Sequence, residues 1–161
     1  MRCLLIFIFA FFFTLPLHAQ QEQVFPRFAS LRSDLVYMRA GPGERFPIEW
    51  EYRRKDLPVQ IIDSFEHWYK IEDFDQTQGW IHKRMLSARR TALTQKDART
   101  PMYKGKQTTS KILAYFDGQV IVHLIKCKQE DILCYVRYND TKGYILRKSL
   151  FGIYPKEEIK E

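Results

Sequence analysis

The chain reads as an all-β protein, two small barrels in tandem behind an apolar leader. Three observations predict this. Short runs of alternating apolar and polar residues recur, among them Val36-Tyr37-Met38-Arg39 and Ile48-Glu49-Trp50-Glu51-Tyr52, and alternation is the signature of a half-buried strand. A Gly-aromatic-Ile triplet occurs twice, as Gly79-Trp80-Ile81 and as Gly143-Tyr144-Ile145, each time after two strand-like runs. Neither half sustains a helical period, and parallel βαβ units would need longer helices between their strands.

The leader comes first. Met1-Arg2-Cys3 precedes a run that is apolar from Leu4 to Leu17 except for Thr14 and Pro16, and His18-Ala19-Gln20 follows. This is the layout of a secretory signal peptide over residues 1–19, cut after Ala19. A membrane-spanning helix needs about 20 apolar residues, and this run is shorter and broken by Pro16. Cleavage removes Arg2, lowering the formal charge of +7 by one, and removes Cys3, leaving Cys127 and Cys134. An even, closely spaced pair in an exported protein points to a disulfide. Zinc is not expected, because it wants four ligands and no neighbouring Cys or His pair supplies them.

Residues 20–30 read as a polar linker whose Phe25 and Phe28 pack onto the domain edge, and the first unit takes residues 31–90. In its opening strand Val36 and Met38 share one face while Tyr37 and Arg39 share the other. Gly41-Pro42-Gly43 then reverses the chain, the glycines being expected at positive φ. Ile48, Trp50 and Tyr52 should share one face of the next strand, and Arg53-Arg54-Lys55-Asp56 forms a charged loop. Leu57 to Asp63 follows, with Pro58 at the strand start where a missing N–H is tolerated. Ser64 to His67 makes a hairpin, Trp68 to Ile71 returns, and His82 to Leu86 closes the unit as one helical turn.

The second, divergent unit takes residues 91–155, with residues 156–161 as a frayed tail. Val122, Leu124 and Ile125 mirror Val59, Ile61 and Ile62; Leu133 to Val136 mirrors Trp68 to Ile71; Leu150 mirrors Leu86. Pro101-Met102-Tyr103 stands where the opening strand belongs, without a second Gly-Pro-Gly turn. Cys127 and Cys134 should face each other across a hairpin, which puts Ile125 opposite Val136 and His123 opposite Tyr138.

The run Val36 to Gly43, together with Phe46-Pro47-Ile48-Glu49-Trp50, Leu57-Pro58-Val59, Trp68 and Gly79 to Leu86, resembles the bacterial SH3-like (SH3b) family of exported Gram-negative envelope proteins. Leu150-Phe151-Gly152-Ile153-Tyr154-Pro155 is similar to the close of such proteins, where a second SH3-like unit ends. The resemblance implies two tandem SH3-like β-barrels, a location in the periplasm or cell envelope, and a non-catalytic module related to domains that target proteins to the cell wall.

Three histidines of the processed chain, His67, His82 and His123, have no serine or cysteine at a catalytic spacing, so no enzyme and no cofactor is expected. Asp73 and Asp75 read as solvated loop charges. A ligand groove is expected from Tyr37, Tyr52 and Tyr69, with Arg53 and Arg54 as basic neighbours, because exposed aromatics on a concave β-surface suit peptide or glycan-peptide binding. Trp50 and Trp80 are expected in the core. The basic balance would suit nucleic acid, but export favours a cell-wall component or an envelope protein as partner. The alternative is a structural subunit of an envelope assembly, without a groove.

Overall fold

The computed structural model describes residues 24–160. The expected signal peptide lies outside the described residues. Within them, fourteen strands form two antiparallel sheets. The first contains β1 (Arg27–Leu31), β2 (Val36–Arg39), β3 (Ile48–Tyr52), β4 (Pro58–Phe65), β5 (Trp68–Glu72), β6 (Gln78–His82) and β7 (Leu86–Ser87), in the order β3-β2-β6-β5-β4-β1-β7. The second contains β8 (Thr91–Thr94), β9 (Arg99–Tyr103), β10 (Ile112–Asp117), β11 (Ile121–Lys126), β12 (Leu133–Tyr138), β13 (Thr141–Leu146) and β14 (Leu150–Phe151), in the order β10-β9-β13-β12-β11-β8-β14. The two orders are the same once seven is added to each strand number. A 3-10 turn precedes the last strand of each sheet, at Lys83–Met85 and at Arg147–Ser149.

Register repeats as well as order. The β4–β5 ladder slips between Ile61 and Asp63, and the β11–β12 ladder slips between Leu124 and Lys126. In both, the extra residue is the one after the inward-facing Ile61 or Leu124, so Ile62 and Ile125 are bulge residues. A bulge shifts every later pairing by one. This corrects the expected pairing around the cysteines: Leu124, not Ile125, opposes Val136, and His123 opposes Arg137, not Tyr138. The slip restores the alignment before the loop, and Cys127 is bonded to Cys134 with their Cα atoms 4.6 Å apart.

The recurrent Gly-aromatic-Ile triplets have a packing cause. Gly79 and Gly143 are buried inside β6 and β13, not at turns. A Cβ on Gly79 would stand 2.6 Å from Met38 Cγ, and one on Gly143 would stand 2.7 Å from Met102 Cγ. Each glycine therefore admits a methionine from the neighbouring strand. The following Ile81 or Ile145 points into the core, fully buried, and the aromatic between them points away, half-buried. Trp80 is accordingly on the outer face, not in the core as expected.

Each sheet covers an apolar cluster, and the first also takes in Leu93 of β8, with Ile121 and Phe151 of the second sheet packed against it. Leu31, Val36, Met38, Val59, Ile61, Ile71 and Ile81 build the first, and Met102, Val122, Val136, Ile145 and Leu150 belong to the second. Tyr52 belongs to the core, but Ile48 and Trp50 on the same strand are about half exposed, at 47% and 53%. Strand β3 is the edge of its sheet, and alternation alone does not guarantee a covering layer there.

Three other expectations are corrected. The linker ends at Pro26, because Arg27–Leu31 is strand β1, paired with both β4 and β7. Gly41 does not need positive φ; it is needed because a Cβ would lie 2.5 Å from the Phe46 ring. The C-terminal residues do not fray through Ile159, which is buried and exchanges backbone hydrogen bonds with Cys127 at 3.0 and 2.8 Å.

The sheets meet through side chains of both. Phe28 on β1 is buried, its ring centroid 5.2 Å from that of Phe151 and 4.7 Å from that of Tyr154. Gln60 donates to the Tyr154 hydroxyl at 2.8 Å, and the Thr91 hydroxyl donates to the Asp56 carbonyl at 2.8 Å.

Candidate functional site

Of the five residues expected in a groove, the structure leaves only Tyr37 in one. Tyr52 is buried and its hydroxyl donates to Asp73 Oδ2 at 2.8 Å. Burial first, then the Asp73 hydrogen bond and charge, push its phenol far above the usual tyrosine range. Asp73 is buried too, contrary to the solvated reading: its Oδ1 accepts from the backbone N–H groups of Asp75 and Thr77, each at 2.9 Å. The pair is an internal brace of the β5–β6 loop. Tyr69 is buried, its hydroxyl accepting from Arg27 Nη2 at 2.9 Å and its ring lying 4.7 Å from Lys83 Nζ. Arg53 is exposed beside Glu51 on the edge strand. Arg54 reaches the second sheet, where it donates to the Gln119 carbonyl. The groove of three tyrosines is therefore not formed, because β3 and β5 turn Tyr52 and Tyr69 inward.

Tyr37 instead belongs to a cleft of about 230 Å³ bounded by Leu35, Arg39, Glu44, Trp68, His82, Arg84 and Met85. The sequence pattern explains the placement. On β2 the inward faces of Val36 and Met38 leave Leu35 and Tyr37 outward, with Tyr37 41% exposed. Trp68 opens β5 directly opposite His82, the last residue of β6, and their rings meet edge to face at 5.3 Å. The 3-10 turn that follows brings Arg84 and Met85 to the rim. Glu44 arrives from the loop after Gly41-Pro42-Gly43, which is held by Arg39 Nη1 donating to the carbonyls of Glu44 and Phe46 at 3.1 and 2.7 Å.

The cleft has apolar walls and a charged rim of Arg39, Arg84 and Glu44. Arg39 is committed to its loop, whereas Arg84 is exposed and makes no ion pair among the described residues. His82 Nδ1 accepts the Arg84 backbone N–H at 3.2 Å, which places its remaining ring proton on Nε2. Burial, with Arg84 and His67 adding to it and Glu44 opposing, holds His82 below the ordinary 6.5. It is thus a neutral hydrogen-bonding group near neutral pH. Sequence reasoning missed Trp68, His82 and Arg84 as site residues; Trp68 stands opposite His82 because the β5–β6 ladder closes with Glu72 opposite Gln78 around the Asp73 to Thr77 loop.

The nearest ring to His82 besides Trp68 is His67, stacked with centroids 6.3 Å apart, and both Cys127 and Cys134 are in the disulfide. Among the described residues no group of three or more His, Cys, Asp or Glu side chains could hold a metal ion, and no helix is long and apolar enough to cross a membrane.

Comparison with known proteins gives one family. The bacterial SH3 domain family model matches residues 32–88. No curated protein matches. Among solved structures the chain is similar to NlpC2 from Trichomonas vaginalis, with 16% identity, a TM-score of 0.35, and coverage of 81% of this chain and 49% of that one. It is also similar to NlpC1 from the same organism, with 20% identity, a TM-score of 0.36, and coverage of 82% and 48%. The chain spans about half the length of either. At these TM-scores the two likenesses constrain neither fold nor function. The family match is different in kind, for it encloses every residue of the cleft: residues 32–88 match the bacterial SH3 domain family.

Proposed function

We propose that this is an exported, non-catalytic binding protein of the cell envelope, built from two copies of one SH3-like unit. Its first unit takes a carboxylate-bearing peptide of the cell wall or of an envelope protein in the cleft between Tyr37 and Trp68. The observation that carries this reading is the cleft itself: half-exposed Tyr37, the edge of Trp68 and the uncommitted Arg84 cation converge on one opening within the bacterial SH3 domain. An aromatic wall contributes contact area at low entropic cost, and an arginine at the rim orients a carboxylate through paired hydrogen bonds. Export is supported by the Met1 to Ala19 leader, and the duplicated unit by the matching strand orders and bulges.

A second reading has its own support. Phe28, Gln60 and Arg54 tie the two sheets together, which suits a rigid structural subunit of an envelope assembly with no ligand of its own. Capture of the processed protein by purified peptidoglycan and by envelope extracts separates the two. Retention that is lost in Tyr37→Ala with Arg84→Ala supports the cleft; retention unchanged by that variant supports the structural reading.

A further inference from the structure

The outer face of the second sheet carries a feature that the first lacks. Cross-strand pairing aligns Lys126 with Tyr135, Tyr135 with Tyr144, and Tyr144 with Tyr103, so one ladder position across four strands holds a lysine and three tyrosines. The equivalent ladder of the first sheet is Asp63, Lys70, Trp80 and Arg39. There, opposite charges face each other. In the second sheet the acid has become Lys126 and two charged positions have become aromatic.

The Tyr135 and Tyr144 rings are half-buried, with centroids 4.9 Å apart and planes inclined at 36°. They line a recess of about 270 Å³ whose remaining walls are Lys106, Lys126, Lys128 and Asp131. The one acid there is already committed, because Asp131 accepts from Lys106 Nζ at 2.8 Å and from the Lys128 backbone N–H at 3.0 Å. That hydrogen bond to Lys106 is the main reason the Asp131 carboxyl sits below its ordinary range. Lys126 and Lys128 are exposed and make no ion pair among the described residues. The recess therefore offers an apolar floor and two uncommitted ammonium groups at its rim.

We infer that this recess is a binding site for a carboxylate-bearing sugar ring. Two tyrosine planes at 36° suit the puckered C–H face of a pyranose, which meets both, better than a flat base, which would stack on only one. The phenol hydroxyls can exchange hydrogen bonds with ring hydroxyls, and Lys126 and Lys128 pair with the carboxylate. The site stands on residues of the second sheet and does not depend on the cleft at Tyr37.

Amide and indole NMR spectra of the whole processed protein test it. The probes are the N-acetylglucosamine–N-acetylmuramic acid disaccharide, a hyaluronan tetrasaccharide, uncharged chitobiose and a short oligothymidylate. The first two distinguish a muramyl carboxylate from a uronate, and either one shifting Lys126, Tyr135 and Tyr144 fulfils the inference. All three tryptophans, Trp50, Trp68 and Trp80, lie in the first sheet, so their indole signals stay in place. Chitobiose should bind at least about tenfold more weakly, as should the acidic saccharide to Lys126→Glu with Lys128→Glu, since hydrogen bonds between charged groups are lost. Both lysines are exposed, so that variant keeps the fold. Absence of shifts at these residues, equal binding of chitobiose, or response to oligothymidylate alone would overturn the inference.

Discussion

Gly79 shows how much one missing Cβ decides. With Met38 Cγ 2.6 Å and the Arg39 carbonyl oxygen 3.0 Å from the position a Cβ would take, the strands cannot keep their separation if a methyl is added. Gly79→Ala is expected to cost about 1 to 3 kcal/mol, the range of overpacking in a close-packed core, and Gly143→Ala a similar amount. Denaturant unfolding of each variant checks this, and an unchanged midpoint would mean that Met38 or Met102 has another rotamer to use. Histidine gives the pH dependence its sign. His123 is held below 6.5, first by burial and then by the Arg137 charge, and His82 is lowered as well. The unfolded chain therefore takes up protons before the folded one as pH falls. Stability from these groups is present above the unfolded value and is lost as pH drops below 6.5 towards their folded values. Melting temperature should fall between about pH 7 and about pH 5, and His123→Gln should fall less steeply. An equal slope in the variant would contradict the assignment.

At the scale of elements, the disulfide hairpin holds the end of the chain. Arg147 is buried and has no carboxylate partner among the described residues; its guanidinium donates to the carbonyls of Asp131, Tyr154, Pro155 and Glu157 at 2.8 to 3.1 Å, to that of Lys128, and to Cys127 Sγ. The hairpin, the 3-10 turn and the tail thus share one cation. A disulfide closing so short a loop is worth about 2 to 2.5 kcal/mol in the chain-entropy account. Cys127→Ala with Cys134→Ala is expected to lower stability by that order and to expose residues 154–160 to proteolysis before the rest. Mass spectrometry of the cleavage products decides it, and a tail that stays protected would show that Arg147 suffices alone. Strands β2 to β6, β9 and β11 to β13 were legible, because alternation around Val36, Val59, Ile71, Val122 and Val136 is strong; β10 (Ile112–Asp117) was not. Strands β1, β7, β8 and β14 were not: Arg27–Leu31 and Thr91–Thr94 are buried through small residues such as Ala29, Ser30 and Ala92, which carry little periodic signal. Bulges at Ile62 and Ile125 could not be read either, since one apolar residue more in an apolar run leaves no mark. The site suffered from the same blindness. Tyr37 was legible from its alternation with Val36 and Met38, but exposure of Trp50 and burial of Tyr52 depend on which strand is the sheet edge, a property of the whole sheet.

For the whole molecule, the two units are joined by more than a connection. Phe28 sits between the rings of Phe151 and Tyr154, and Arg90 pairs with Glu157 while donating to the Gly152 carbonyl at 2.7 Å. Gly152 itself has φ +116°, and a Cβ there would lie 2.5 Å from the Thr91 carbonyl oxygen, so the Phe151 to Pro155 segment is shaped to fit against the start of the second unit. The cleft at Tyr37 and Trp68 is lined by residues of the first unit alone. We propose that this cleft receives a carboxylate-bearing peptide. Its most direct test follows the Trp68 indole N–H and the Tyr37 and Arg84 amides of the whole processed protein while a sugar-free stem peptide from the cell wall is added. The three signals should move together along one binding curve, and Tyr37→Ala should weaken the affinity by about tenfold, as loss of a central aromatic contact does. Signals that stay fixed with the peptide in excess, or shifts of the same size in Tyr37→Ala, would contradict it.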